Sequence, residues 1–140
     1  MRQRATSSLS LITSVPLFYL VVFVSAVPVS DASSASSDSA RRSYERGVTL
    51  FREGNADGAI EALKKAVAQN PKLAEAYHVL GLVYFQSKRN PDEAIQAYKQ
   101  SLKLGPASAE ILNDLADGYL AQGRGSDAEG VLRQALDIAP

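Results

Sequence analysis

Through residues 40–140, large apolar residues recur three and four positions apart. Tyr77, Leu80 and Tyr84 form one such run, and Leu112, Leu115 and Tyr119 form another. Ala59, Leu63 and Ala66, and later Ala128, Leu132 and Ala135, repeat the spacing with smaller members. A period near 3.6 marks one face of a helix. The runs are separated by turn residues: Glu53, Gly54 and Asn55; then Ser87 to Asn90; then Gln122, Gly123 and Arg124. Asn70 with Pro71 and Gly105 with Pro106 supply stops, because the residue before a proline is pushed out of the helical region. The pattern predicts six helices, at about 40–53, 56–69, 73–87, 91–104, 108–121 and 125–138.

The helices come in pairs that repeat. Pro71, Pro106 and Pro140 are spaced by 35 and 34 residues, as are Ala59, Ala94 and Ala128, whereas Leu50, Tyr84 and Tyr119 are spaced by 34 and 35. The change of order puts one extra residue of the second unit between Tyr84 and Ala94. Lys88, Arg89, Asn90, Pro91 and Asp92 in that interval are turn residues, so the extra residue is expected to lengthen a loop and leave the helices alone. Gly47, Gly81 and Ala116 on the first helix of each pair, and Ala59, Ala94 and Ala128 on the second, let the two backbones approach to the short end of the roughly 8–10 Å range. Large partners one turn away, Leu50 with Leu63 and Tyr84 with Tyr98, fill the space that remains.

These features together resemble the tetratricopeptide repeat (TPR). Tyr77, Leu80, Gly81, Tyr84, Ala94, Tyr98 and Pro106 carry the resemblance best. Ser101 replaces a usual Ala, Ser43 stands where a large aromatic is usual, and Ala116 replaces a usual Gly. The resemblance implies an all-α fold, a right-handed α-solenoid of three helix–turn–helix hairpins with repeats at about 40–73, 74–108 and 109–140. Such arrays usually end in a polar helix. Here Val131, Leu132, Leu136 and Ile138 are expected to be partly exposed, so that the open end self-associates or the chain is a fragment of a larger TPR protein.

Upstream the composition changes. Arg2 and Arg4 precede an uncharged stretch over residues 9–29, and Val24, Ser25 and Ala26 form a small-residue cleavage pattern. Residues 1–26 therefore read as a signal peptide cut after Ala26. The alternative is an uncleaved anchor, since about 20 mostly apolar residues can span a bilayer. Either reading makes the chain exported (periplasmic or secreted) or membrane-anchored through this segment alone. Residues 27–39, mostly Ser and Ala, are expected to be a flexible linker.

Charge and chemistry narrow the function. Fifteen basic and fifteen acidic residues balance, without a basic stripe, so nucleic acid is not an expected partner. With no cysteine and one histidine, His78, which has no neighbour of ligand type in sequence, neither a metal site, a cofactor site nor a catalytic constellation is expected. The expected function is protein–protein interaction. By resemblance, the first helices line a concave groove with Arg41, Tyr44, Val48, Phe51 and Arg52 from the first unit. Glu75, His78, Leu82, Phe85 and Gln86 come from the second, and Glu110, Asn113, Asp117 and Leu120 from the third. Chaperone-binding relatives hold a carboxylate with Lys, Asn and Arg; here those places carry Tyr44, Val48, Val79, Glu110 and Asp114. The resemblance thus points to a peptide with an apolar or aromatic segment and a basic end.

Overall fold

A computed structural model describes residues 30–140; the segment read as a signal or anchor lies outside the described residues. Among these residues there are six helices and no strand: α1 (Ser30–Arg52), α2 (Ala56–Gln69), α3 (Ala74–Leu82, continued by a π-helical turn Val83–Ser87), α4 (Pro91–Leu104), α5 (Ala109–Ala121) and α6 (Gly125–Ile138). They form three antiparallel pairs. At the centre of the first two pairs a glycine meets a large residue. A Cβ on Gly47 would lie 2.6 Å from Leu63 Cγ, and one on Gly81 would lie 2.5 Å from Tyr98 Cδ1.

Successive pairs stack through two apolar clusters. In the first, Ala59, Leu63 and Ala66 of α2 sit against Ala76, Leu80 and Val83 of the second unit's first helix and Ala97 of α4. In the second, Ala94, Ile95 and Tyr98 of α4 sit against Leu115, Ala116 and Tyr119 of α5 and Ala128 of α6. Ser101, the small polar substitute, is buried. Its Oγ donates to the Ala74 carbonyl at 2.9 Å, so the hydroxyl ties the end of α4 to the start of α3.

Two expectations are corrected. Residues 30–39, expected to be a flexible linker, are the first ten residues of α1. They lack large side chains, but Ser36, Ser39 and Ser43 share one face of α1. Ser36 Oγ donates to the Gln69 carbonyl at 2.9 Å, and Ser43 Oγ to Gln69 Oε1 at 2.8 Å. Gln69 Nε2 donates to Ser39 Oγ at 2.7 Å, and Ala40 is fully buried beside them. The helix is thus held to the end of α2 by hydrogen bonds where a hydrophobic stripe would ordinarily do it.

The extra residue of the second unit lies within the helix end, not in a loop beyond it. In the first and third units the Asn55 and Arg124 amides reach back five residues, to Leu50 and Tyr119 carbonyls at 2.8 and 2.9 Å. Asn90 must reach back six, to Tyr84 at 3.0 Å, and Lys88 closes a π-type bond to Val83 at 3.2 Å. One additional residue widens the last turn of the helix. The left-handed position after it, held by Gly54 and Gly123 in the other units, falls on Arg89 with φ of 53°.

The two ends of the array differ. Three positions on the first helix of the second unit, Ala76, Leu80 and Val83, are buried against α2. Their third-unit counterparts are Ile111, Leu115 and Gly118, and their first-unit counterparts, Arg42, Arg46 and Thr49, are exposed. At the other end, Leu132, Leu136 and Ile138 of α6 are 38%, 63% and 47% exposed, while Val131 is half-buried. In the first two units the residues matching Leu132 are Leu63 and Tyr98, each fully buried by the following unit.

Candidate binding groove

An open pocket of about 510 Å³ joins the first helices of all three units. Tyr44 of α1, Glu75, His78 and Val79 of α3, and Ile111 of α5 line it, with Lys72 and Ser108 at the approaches to α3 and α5. The floor is therefore aromatic and aliphatic. Glu75 sits in the first turn of α3 and Glu110 in the first turn of α5, where the helix dipole favours a carboxylate.

A close polar contact on this face joins two units. His78 Nε2 lies 2.7 Å from Asp114 Oδ2, with the two side chains 16% and 26% exposed. The ring of His78 lies 6.0 Å from that of Tyr98, tilted by 57°. Beneath it the Tyr98 hydroxyl is buried with no hydrogen-bond partner. Burial pushes its pKa well above the ordinary tyrosine range, and the nearby charges of Asp114 and Asp117 push it further the same way. It stays a neutral phenol.

The other residues expected on this face are distributed unevenly. Phe85 and Gln86 line a separate pocket of about 420 Å³ with Arg89, Pro91 and Ala121. Leu82 and Phe85 are half-buried against the second cluster, and Tyr44 and Phe51 against the first. Val48 is half-buried on α1, while Arg52, Asn113 and Asp117 are exposed. Arg41 is also exposed and pairs along its own helix with Glu45 at 3.5 Å. Leu120 is 54% exposed.

Sequence reasoning placed Asp114 on this face but left His78 without a partner. The signal was there in the repeat length. Residues about one repeat apart lie side by side on stacked helices, and Asp114 stands 36 residues after His78. Among the described residues, no group of three or more His, Cys, Asp or Glu could hold a metal ion.

A family model for the TPR-containing C-terminal domain of cilia and flagella-associated protein 70 matches residues 24–140. The chain belongs to this tetratricopeptide-repeat family. A TPR repeat-containing thioredoxin, TDX, from Oryza sativa subsp. japonica is 37% identical to this TPR chain over 68 residues, 49% of the chain and 21% of that relative. The crystal structure of MamA is 32% identical with a TM-score of 0.69, over 72% of this chain and 58% of that one. The second TPR of Spaghetti (RPAP3), solved bound to the HSP90 peptide SRMEEVD, shares the fold with a TM-score of 0.69 at 19% identity. That match covers 74% of this chain and 96% of that one. This TPR chain thus spans about a fifth of TDX and little more than half of MamA.

Proposed function

We infer that the chain is an adaptor that binds a peptide segment of a partner protein on the face shared by α1, α3 and α5. The observation that carries this reading is the pocket in which Tyr44, Val79 and Ile111 from three different helices form an apolar floor beside Glu75 and the His78–Asp114 pair. Apolar surface rimmed by charge suits a peptide whose side chains can be desolvated while its ends stay paired. With Glu75, Glu110, Asp114 and Asp117 toward the second and third units, the favoured peptide has an aromatic or aliphatic centre and a basic end. The acidic sequence SRMEEVD held by the RPAP3 domain is of the opposite charge.

The test is binding of the full chain to an array of short peptides with aromatic–aliphatic centres, differing only in Lys/Arg or Asp/Glu ends. Basic ends should bind best, and Val79→Ala and Glu75→Lys, both in the lining of that pocket, should each weaken them several-fold. Equal affinity for both ends, or no effect of either substitution, would overturn the assignment.

The exposed Leu132, Leu136 and Ile138 support a second reading, self-association through α6. Arg42 and Arg46 at the other end make a head-to-tail stack unfavourable, so the pairing would be α6 against α6. Leu136→Glu should then abolish any concentration-dependent dimer seen by sedimentation. The apolar segment over residues 9–29 supports export or anchoring of the chain; recovery of an uncut chain from the cytoplasm would refute that.

A further inference from the structure

We propose that the groove between α1 and α2, at the end of the array opposite α6, is a second docking surface that takes an acidic amphipathic helix from a partner protein. The array itself already fills grooves of this kind. Inside it, α2 lies against Ala76, Leu80 and Val83 of the second unit and Ala97 of α4. Every first-and-second-helix pair therefore offers a groove shaped for one more helix. In the first unit that groove is open, a cleft of about 540 Å³ running from Ser39 to Leu50 and Asn55. At 1.5 Å per residue, the stretch of α1 between Ser39 and Leu50 is ~17 Å long, about three helical turns.

The shape is kept and the chemistry is changed. Ala62, which corresponds to Ala97, still lines the floor with Leu50. The walls carry Arg42, Arg46 and Lys65, where the matching residues are Ala76, Leu80 and Gln100. None of the three cations has a salt-bridge partner among the described residues, and the cleft brings all three to one surface. Glu61 is the one carboxylate among the lining residues, so the cleft has an excess of two positive charges.

Charge complementarity selects the occupant. A helix with small or aliphatic residues on one face can reach Ala62 and Leu50. Carboxylates flanking that face would pair with Arg42, Arg46 and Lys65, and bidentate Arg–carboxylate pairing adds geometric selectivity. The chain's own first 29 residues carry Arg2 and Arg4 and no acidic residue, so they do not match. A second copy's α6 does not match either. In the register of the internal stack it would bring Leu132 against the guanidinium groups, and its Glu129 is already paired with Arg133 at 2.5 Å.

The experiment uses the full chain and a 16-residue fluorescent helix with an Ala/Leu stripe flanked by Glu, beside the same peptide with Gln for Glu. Anisotropy at low salt should show the Glu helix binding at least tenfold more tightly than the Gln helix, with the difference fading as salt is raised. The R42Q/R46Q variant should lose at least tenfold for the Glu helix while keeping the wild-type melting temperature. R42E/R46E should prefer a Lys version of the helix, and Phe85→Ala should change none of this. Equal binding of the Glu and Gln helices overturns the proposal, as does indifference to R42Q/R46Q. So does a result in which those arginines govern self-association or attachment to phosphatidylserine vesicles while the Glu helix goes unbound.

Discussion

Replacing Gly81 by Ala tests whether helix contact distance is set by the missing side chain. An added Cβ would lie 2.5 Å from Tyr98 Cδ1 and 3.0 Å from Cζ, with Cε1 nearer still. Tyr98 is fully buried, so its ring cannot swing into solvent. Overpacking of this kind costs about 1–3 kcal/mol, and contact with three ring atoms argues for the upper end. Against it stands the helix-propensity gain of Ala over Gly, about 1 kcal/mol. The expected net loss is about 2 kcal/mol, a fall of roughly 8–15 °C in Tm for a domain of this size. Gly130 is the control: nothing lies within 4 Å of its added Cβ, so Gly130→Ala should raise stability by about 1 kcal/mol. Urea and thermal unfolding followed by circular dichroism give both values. A double-mutant cycle with Tyr98→Leu, which copies the Leu63 and Leu132 of the other units, should show a favourable coupling for the pair. A Gly81→Ala protein as stable as wild type, or stabilised like Gly130→Ala, would refute the reasoning.

Three further outcomes are expected. Arg89→Gly should stabilise the fold by about 0.5–1 kcal/mol in urea melts, because Arg89 holds a left-handed conformation that glycine fills in the other two units. Tyr98→Phe should be neutral or stabilising by up to ~1 kcal/mol, since it removes a buried hydroxyl with no partner. The raised pKa of Tyr98 means that the unfolded chain releases this proton first, so wild-type stability should fall as pH rises above about 10 and the variant should lose that component. Ser101→Ala should cost about 1 kcal/mol by thermal melting despite being a change to the usual TPR residue, because the hydrogen bond between α4 and the Ala74 carbonyl is lost.

The repeat period made the hairpins legible, since Gly47, Gly81 and the alanines opposite them recur at spacings that only stacked helix pairs explain. The start of α1 was not legible, because Ser36, Ser39 and Ser43 lack the size that periodicity detects and act through Gln69, about 30 residues away. Spacing shows that the second unit has one extra residue but not that the π-helical turn Val83–Ser87 takes it up. Turn-forming Lys88 to Asp92 carry the stronger local signal, although the helix has already widened at Val83 and Tyr84. On the binding face, the helical positions of Glu75 and His78 could be read from spacing alone. The meeting of His78 with Asp114 depended on how one unit rotates over the next, which no single helix records.

The unlike ends give the array a direction of growth. A duplicated copy of the third unit joined after α6 would cover leucines that water now touches. A unit added ahead of α1 would have to strip water from two guanidinium groups, at several kcal/mol each. Gene duplication and protein engineering alike would find this solenoid easy to lengthen at its tail and hard to lengthen at its head.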